Sequence, residues 1–158
     1  MIEFVHIDTR VRKKLRQQLQ KKNSYAANAA KKAEKIINAL LNGTKPFQAG
    51  KLTGNGDARI KNCLKYDLGK GFRLVCIKGE KSFFLLFAGN HDCCDKWINK
   101  NRNIKPDNCS DSIKIYPTRY SYETFMETQK IPEKADLRKP LMGKISQADL
   151  RKIFHGLT

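Results

Sequence analysis

The stretch DLGKGFRLVCIKGEKSFFLLFA, Asp67 to Ala88, fixes the architecture of this chain. DLGKG has the glycine-rich chemistry of a hairpin turn and leads into FRLVCIK, Phe72 to Lys78. The polar GEKS then reverses the chain into FFLLFA, Phe83 to Ala88. Upstream, residues 58 to 66 alternate, with Ala58, Ile60, Leu64 and Tyr66 on one side and Arg59, Lys61, Cys63 and Lys65 on the other. Period two predicts a strand with one basic face. The three strands form an antiparallel meander, and FFLLF, apolar on both sides, is expected to be the central strand of the sheet, covered on both faces.

Nearer the start, IEFVHI (Ile2 to Ile7) is a short β-prone run, and Asp8 and Thr9 offer a cap for a helix carrying Val11, Leu15 and Leu19. A second helix restarts at Ser24, keeps Ala26, Ala29, Ala30, Ala33, Ile37, Leu40 and Leu41 on one stripe, and stops at Asn42 and Gly43. Residues 43 to 57 read as a loop. Beyond the meander, HDCCDKWINK predicts a short helix capped by Asp92, with Asp95 three positions on and Trp97 and Ile98 inward. The fold class is therefore α+β: a small antiparallel β-sheet packed against an N-terminal helical hairpin. Residues 1 to 103 make the domain. Residues 104 to 158 make a C-terminal extension that packs on the domain or on a partner. Within it, Ile113 and Ile115 alternate in a short strand ended by Pro117, and Tyr116, Tyr120, Tyr122 and Phe125 are candidate anchors. Ser146, Leu150, Ile153, Phe154 and Leu157 predict a final amphipathic helix.

Thirty-two Lys and Arg against fifteen Asp and Glu give a net charge of +17 over 158 residues. Such a surplus attracts polyanions, and nucleic acid is the first expected partner. The imbalance is concentrated in residues 1 to 103, which carry 22 basic and 8 acidic side chains. No run approaches the roughly 20 apolar residues of a membrane span, and the start lacks the order of a secretion signal, so no membrane partner and a cytoplasmic location are expected. Five cysteines, Cys63, Cys76, Cys93, Cys94 and Cys109, lack CxxC spacing and read as reduced thiols rather than a disulfide framework or zinc knuckle. No metal and no cofactor are expected.

The basic face from Arg59 to Lys65, joined by Arg73 on the next strand, suits a phosphodiester. Guanidinium and ammonium groups bind phosphate oxygens and stabilise the charge that develops on phosphorus during in-line attack. If the ribose 2′-oxygen is the nucleophile, the protein must only orient the sugar, neutralise the phosphorane and move two protons. His91 is the candidate proton carrier, since imidazole titrates near neutrality, and Asp92 is placed to orient it. The glycine pairs 54/56 and 69/71 read as turns, because neither leads from a strand into a long helix.

RIKNCLKYDLGKGFRLVCIKGEKSFFLLFAGNHD, Arg59 to Asp92, resembles the RelE/ParE toxin superfamily, and KLTG at Lys51 to Gly54 looks similar as well. The resemblance implies a ribosome-associated mRNA endonuclease acting without metal, with mRNA and the ribosome as partners and a cognate antitoxin protein holding it in check. It implies catalytic roles for Arg73, His91, Lys65 and Arg59. RNA contacts would come from Lys61, Lys51, Arg59 and Lys65, with support from Asp92 and from Trp97 as a stacking surface. The superfamily also contains a gyrase-inhibiting ParE-like branch, and a noncatalytic basic RNA- or ribosome-binding module is the third reading. Unlike some members, the chain has no tyrosine between His91 and residue 103.

Overall fold

A computed structural model describes residues 1–54, 56–105 and 111–128. Strand β4 (Ser82–Asn90) lies in the middle of a five-stranded sheet of order β2-β3-β4-β1-β5, with β1 Phe4–Asp8, β2 Cys63–Gly69, β3 Phe72–Lys78 and β5 Ile113–Pro117. The helices are α1 Thr9–Leu19, α2 Tyr25–Leu41, the single turn α3 Pro46–Ala49, α4 His91–Lys100 and α5 Arg119–Thr128. The protein is thus α+β. The turn α3, inside a stretch expected to be loop, starts on a proline, whose fixed φ suits a first helical position.

Two apolar clusters fill the two faces of the sheet. Phe83, Leu85 and Ala88 of β4 share one with Val5, Ile7, Leu15, Ile37, Leu40 and Tyr66. Phe84 and Leu86 share the other with Val75, Ile77, Cys94 and Ile98. Strict alternation would send Phe87 toward the first cluster. A bulge intervenes, because Val75 pairs with Phe87 while its neighbour Cys76 pairs with Leu85, leaving one extra residue on β4. Leu86 and Phe87 therefore both face the second cluster, and Ala88 returns to the first. Among the described residues the second face is covered by α4 and Ile60, with Ile104 and Ile113 of the C-terminal extension packed against it.

Local chemistry explains the helix ends. The Asp8 carboxylate accepts from the Arg10 N–H at 2.8 Å to cap α1, and the Ser24 hydroxyl accepts from the Ala27 N–H at 3.1 Å to cap α2. Gly43, at φ +87°, ends α2 in the left-handed region. Asn90, rather than the expected Asp92, caps α4 by accepting from the Cys93 N–H at 2.8 Å.

Three expectations are corrected. The sheet is mixed, not antiparallel throughout, because β1 runs parallel to β4. A short turn forces antiparallel neighbours, as in β2-β3-β4, whereas β1 is followed by helices and is under no such constraint. The basic strand starts at Cys63, not near residue 58. Asn62 adopts φ +58°, and Asp57 forms an isolated bridge with Cys63, so residues 58 to 62 close a tight loop. Ile60 consequently faces the second cluster while Leu64 packs against the first.

The third correction concerns the boundary at 103. β5 pairs antiparallel with β1 from Phe4↔Pro117 to Asp8↔Ile113, and the compact unit spans Met1–Phe125. Tyr120, Tyr122 and Phe125 are exposed rather than anchoring. The anchor is Thr118, fully buried, whose hydroxyl donates to the Ile2 carbonyl at 3.1 Å while its N–H donates to the Glu3 carbonyl at 2.8 Å. The other unit, Met126–Thr158, contributes only the end of α5 to the described residues, and the amphipathic helix expected from Ser146 lies outside them.

Candidate functional site

The loop before β2 and the helix after β4 meet over the same sheet face, and there the predicted cations encounter carboxylates. Asp57 ends the chain's approach to the loop, with its side chain only 7% exposed. Its two oxygens accept from Arg59 Nε at 2.8 Å and Nη2 at 2.7 Å, and Oδ2 also accepts from Lys65 Nζ at 2.9 Å. Arg59 Nη2 reaches on to Asp95 Oδ1 on α4 at 2.7 Å, and Nη1 donates to Asn99 Oδ1 at 3.2 Å. The other oxygen of Asp95 lies 2.9 Å from His91 Nδ1, one helical turn earlier. The result is a chain of alternating groups, Lys65, Asp57, Arg59, Asp95 and His91, joining β2 to α4.

Electrostatics follow this geometry. Arg59, then Lys65, hold the Asp57 carboxyl well below the usual carboxylate range, against a burial effect that opposes them. Arg59 likewise lowers Asp95, with a further contribution from His91. The two carboxylates in turn raise the Arg59 guanidinium above its already high value. With Nδ1 engaged by Asp95, Nε2 is the His91 nitrogen free to accept or give a proton, on a side chain 62% exposed. Asp92, expected to orient the imidazole, is exposed in the first turn of α4, where its charge suits the helix N-terminus. Asp95 does the orienting instead.

Arg73 lies at the start of β3, directly opposite Asp67 of β2. Its Nη1 donates to Asp67 Oδ1 at 2.9 Å and to the Phe72 carbonyl at 3.0 Å. Because Phe72 pairs with Asn90, and His91 follows Asn90, the start of α4 adjoins the start of β3. The Cys94 thiol, donating to the Arg73 carbonyl at 3.7 Å, ties the helix there.

The remaining predicted residues are dispersed. Lys61 is exposed in the loop and lines a different depression, of about 660 Å³, with Lys78, Lys81 and Lys105. Lys51 is exposed beside β2, where its carbonyl accepts from the Asp67 N–H at 2.7 Å. Trp97 is half-buried and already stacked on Phe87, with ring centroids 5.7 Å apart, while Lys14 Nζ lies 4.7 Å from the Phe87 ring centroid. Three of the cysteines among the described residues, Cys63, Cys76 and Cys94, are buried, and Cys93 is exposed on α4. Burial pushes the Cys63 and Cys94 thiols up to about 11, and holds the fully buried Cys76 well above the ordinary thiol value.

Sequence reading therefore brings Arg59, Lys65 and His91 to one crevice with Arg73 close by, and misses Asp57, Asp95 and Asn99 as the groups that organise it. Two signals were present: Asp95 stands four residues after His91, helical contact spacing, and Asp57 stands two before Arg59, where an aspartate bonds the backbone N–H two residues on. No family model matches the chain, and no match is found among curated proteins or among solved structures.

Proposed function

We propose that the chain is an endoribonuclease of the RelE/ParE toxin type, an mRNA interferase working at the ribosome and restrained by a cognate antitoxin protein. The observation that carries the reading is the His91–Asp95–Arg59 arrangement on α4 and the loop before β2. A carboxylate-oriented imidazole with an outward Nε2 is the equipment for proton transfer to or from a ribose 2′-hydroxyl or a leaving 5′-oxygen. Lys65 and Arg73 supply positive charge for the phosphate, since each keeps hydrogens beyond those committed to Asp57 and Asp67. Arg59 has a partner on every guanidinium nitrogen, so its part is to hold Asp95 and Asp57 in place rather than to grip RNA. The reading also draws support from the element order β1-α1-α2-α3-β2-β3-β4-α4, two helices followed by a meander, within a longer chain.

Cleavage by 2′-hydroxyl attack leaves a 2′,3′-cyclic phosphate and needs no metal. Primer-extension mapping of a translated mRNA, with and without the purified protein, tests the reading. Cuts that appear only during translation and end in a cyclic phosphate are expected, and His91→Ala should slow them by about 10²- to 10⁴-fold. Absence of cuts with the wild-type protein, or cutting unchanged in both His91→Ala and Arg73→Ala, rejects it. A noncatalytic RNA-binding module is the second reading, favoured by the exposed Lys61, Lys78 and Lys81 around one depression. It predicts RNA affinity without any cut.

A further inference from the structure

The addition of β5 to β1 creates a second cationic feature at the end of the sheet remote from β2. Between β5 and α1 runs a groove of about 500 Å³ whose polar lining includes Arg12, Lys13, Arg16 and Gln17 of the helix and Lys114 of the strand, with Tyr116 at its side. The spacing of the helical residues puts them on adjoining rows of α1, and Lys114 stands opposite Ile7 in the β1–β5 ladder. Arg12 is fixed, with Nη1 2.9 Å from Glu34 and the guanidinium 6.0 Å from the centre of the Tyr116 ring. Lys13, Arg16 and Lys114 are exposed and have no carboxylate partner among the described residues.

From this groove we infer that the protein carries a second nucleic-acid contact, separate from the α4 crevice, in which Lys13, Arg16 and Lys114 bind consecutive phosphates of an RNA strand. Three unpaired cations on two elements form a track, not a point, and a phosphodiester backbone is the polyanion with charges regularly spaced along a line. Gln17 adds an amide able to bond phosphate or sugar oxygens. An acidic peptide fits less well, because protein partners draw their affinity from buried apolar anchors, and the apolar lining here is Ile7, itself buried, and Tyr116, beside which Arg12 lies. A membrane surface would likewise need apolar side chains to insert. His91 opens α4 at the end of β4, two strand spacings of about 4.8 Å from β5, while the apolar residues of α1 and α4 pack on opposite faces of the sheet. The groove therefore acts as an anchoring contact, built on the helix that packs on the face of the sheet opposite α4.

Binding of a 20-nucleotide 2′-O-methyl oligouridylate, which lacks the attacking hydroxyl, tests this independently of any nuclease activity. Affinity is measured by fluorescence anisotropy of the labelled oligonucleotide over a salt series. Lys13→Gln, Arg16→Gln and Lys114→Gln combined should flatten the slope of log affinity against log salt by about 2, at about 0.7 for each phosphate no longer neutralised, and weaken binding at low salt at least tenfold. Arg16→Gln alone should give about a third of the slope change. A control neutralising Lys22, Lys31 and Lys35, exposed and outside the groove, should change the slope by less than about 0.5. Equal losses in the groove and control triples would mean diffuse attraction and overturn the inference. So would an unchanged slope in the groove triple, or a groove triple that loses phosphatidylserine vesicle binding while retaining RNA.

Discussion

The α4 crevice and the α1–β5 groove draw on the same kinds of basic side chain and put them to opposite use. In the crevice, Arg59, Lys65 and Arg73 each meet a carboxylate, and two acids, Asp57 and Asp95, lace the loop to the helix. In the groove, Glu34 partners Arg12 while Lys13, Arg16 and Lys114 face solvent without a carboxylate among the described residues. Counting positive charges, three in the first and four in the second, hardly distinguishes the two regions. What separates them is where the acids sit. A cation held in a network supplies geometry and stability, and one left open supplies attraction for a polyanion.

The most direct challenge to this contrast is Asp57→Ala. It leaves Arg59 and Lys65, whose side chains are 28% and 19% exposed, without their shared counter-charge. A loss of about 3 kcal/mol is expected, at the low end for breaking a buried pair because both cations reach some water. Urea unfolding at pH 7 measures it, and a loss below about 1 kcal/mol would mean that the crevice is no more committed than an ordinary surface pair.

The same network makes a pH prediction. A carboxyl whose folded-state pKa is lowered stabilises the fold fully above its unfolded value of about 4, and that contribution disappears as the pH falls toward the folded value. Asp57 and Asp95 are both lowered. The urea midpoint should therefore fall as the pH is taken from about 5 to about 2, and Asp57→Asn should flatten much of that fall while being less stable at pH 7. A wild-type midpoint that is level across this window counts against the network.

Smaller effects test the same contrast more finely. Asp95→Ala, at a position one-third exposed, should lower stability by about 1 kcal/mol, releasing His91 while Arg59 keeps its pair with Asp57. Least of all should follow from the groove: Glu34→Gln and Arg16→Gln are each expected to change stability by no more than about 0.5 kcal/mol in thermal unfolding.

Much of the fold was legible along the chain. Asp8 and Ser24 cap their helices, the glycines at 69 and 71 turn β2 into β3, and FFLLF is buried on both faces as its composition demands. These features depend on neighbours a few residues apart, where periods of 2 and 3.6 and the special conformations of Gly and Asn act directly. The site was half legible. His91, Lys65 and Arg59 converge, but through Asp57 and Asp95, and Lys51, Lys61 and Trp97 lie elsewhere or are already occupied.

Composition and local pattern settle the cationic character, the meander, and the helix-forming stripes that cover one of its faces. Packing in three dimensions settles that β1 runs parallel to β4, that residues 113–117 extend the sheet beyond β1, and which carboxylate meets which cation. The reason is that an ion pair between residues 36 positions apart, such as Arg59 and Asp95, requires a strand register and a helix docking angle to be set first. Charge acts over distance but is satisfied only at contact, and contact between distant segments is a property of packing.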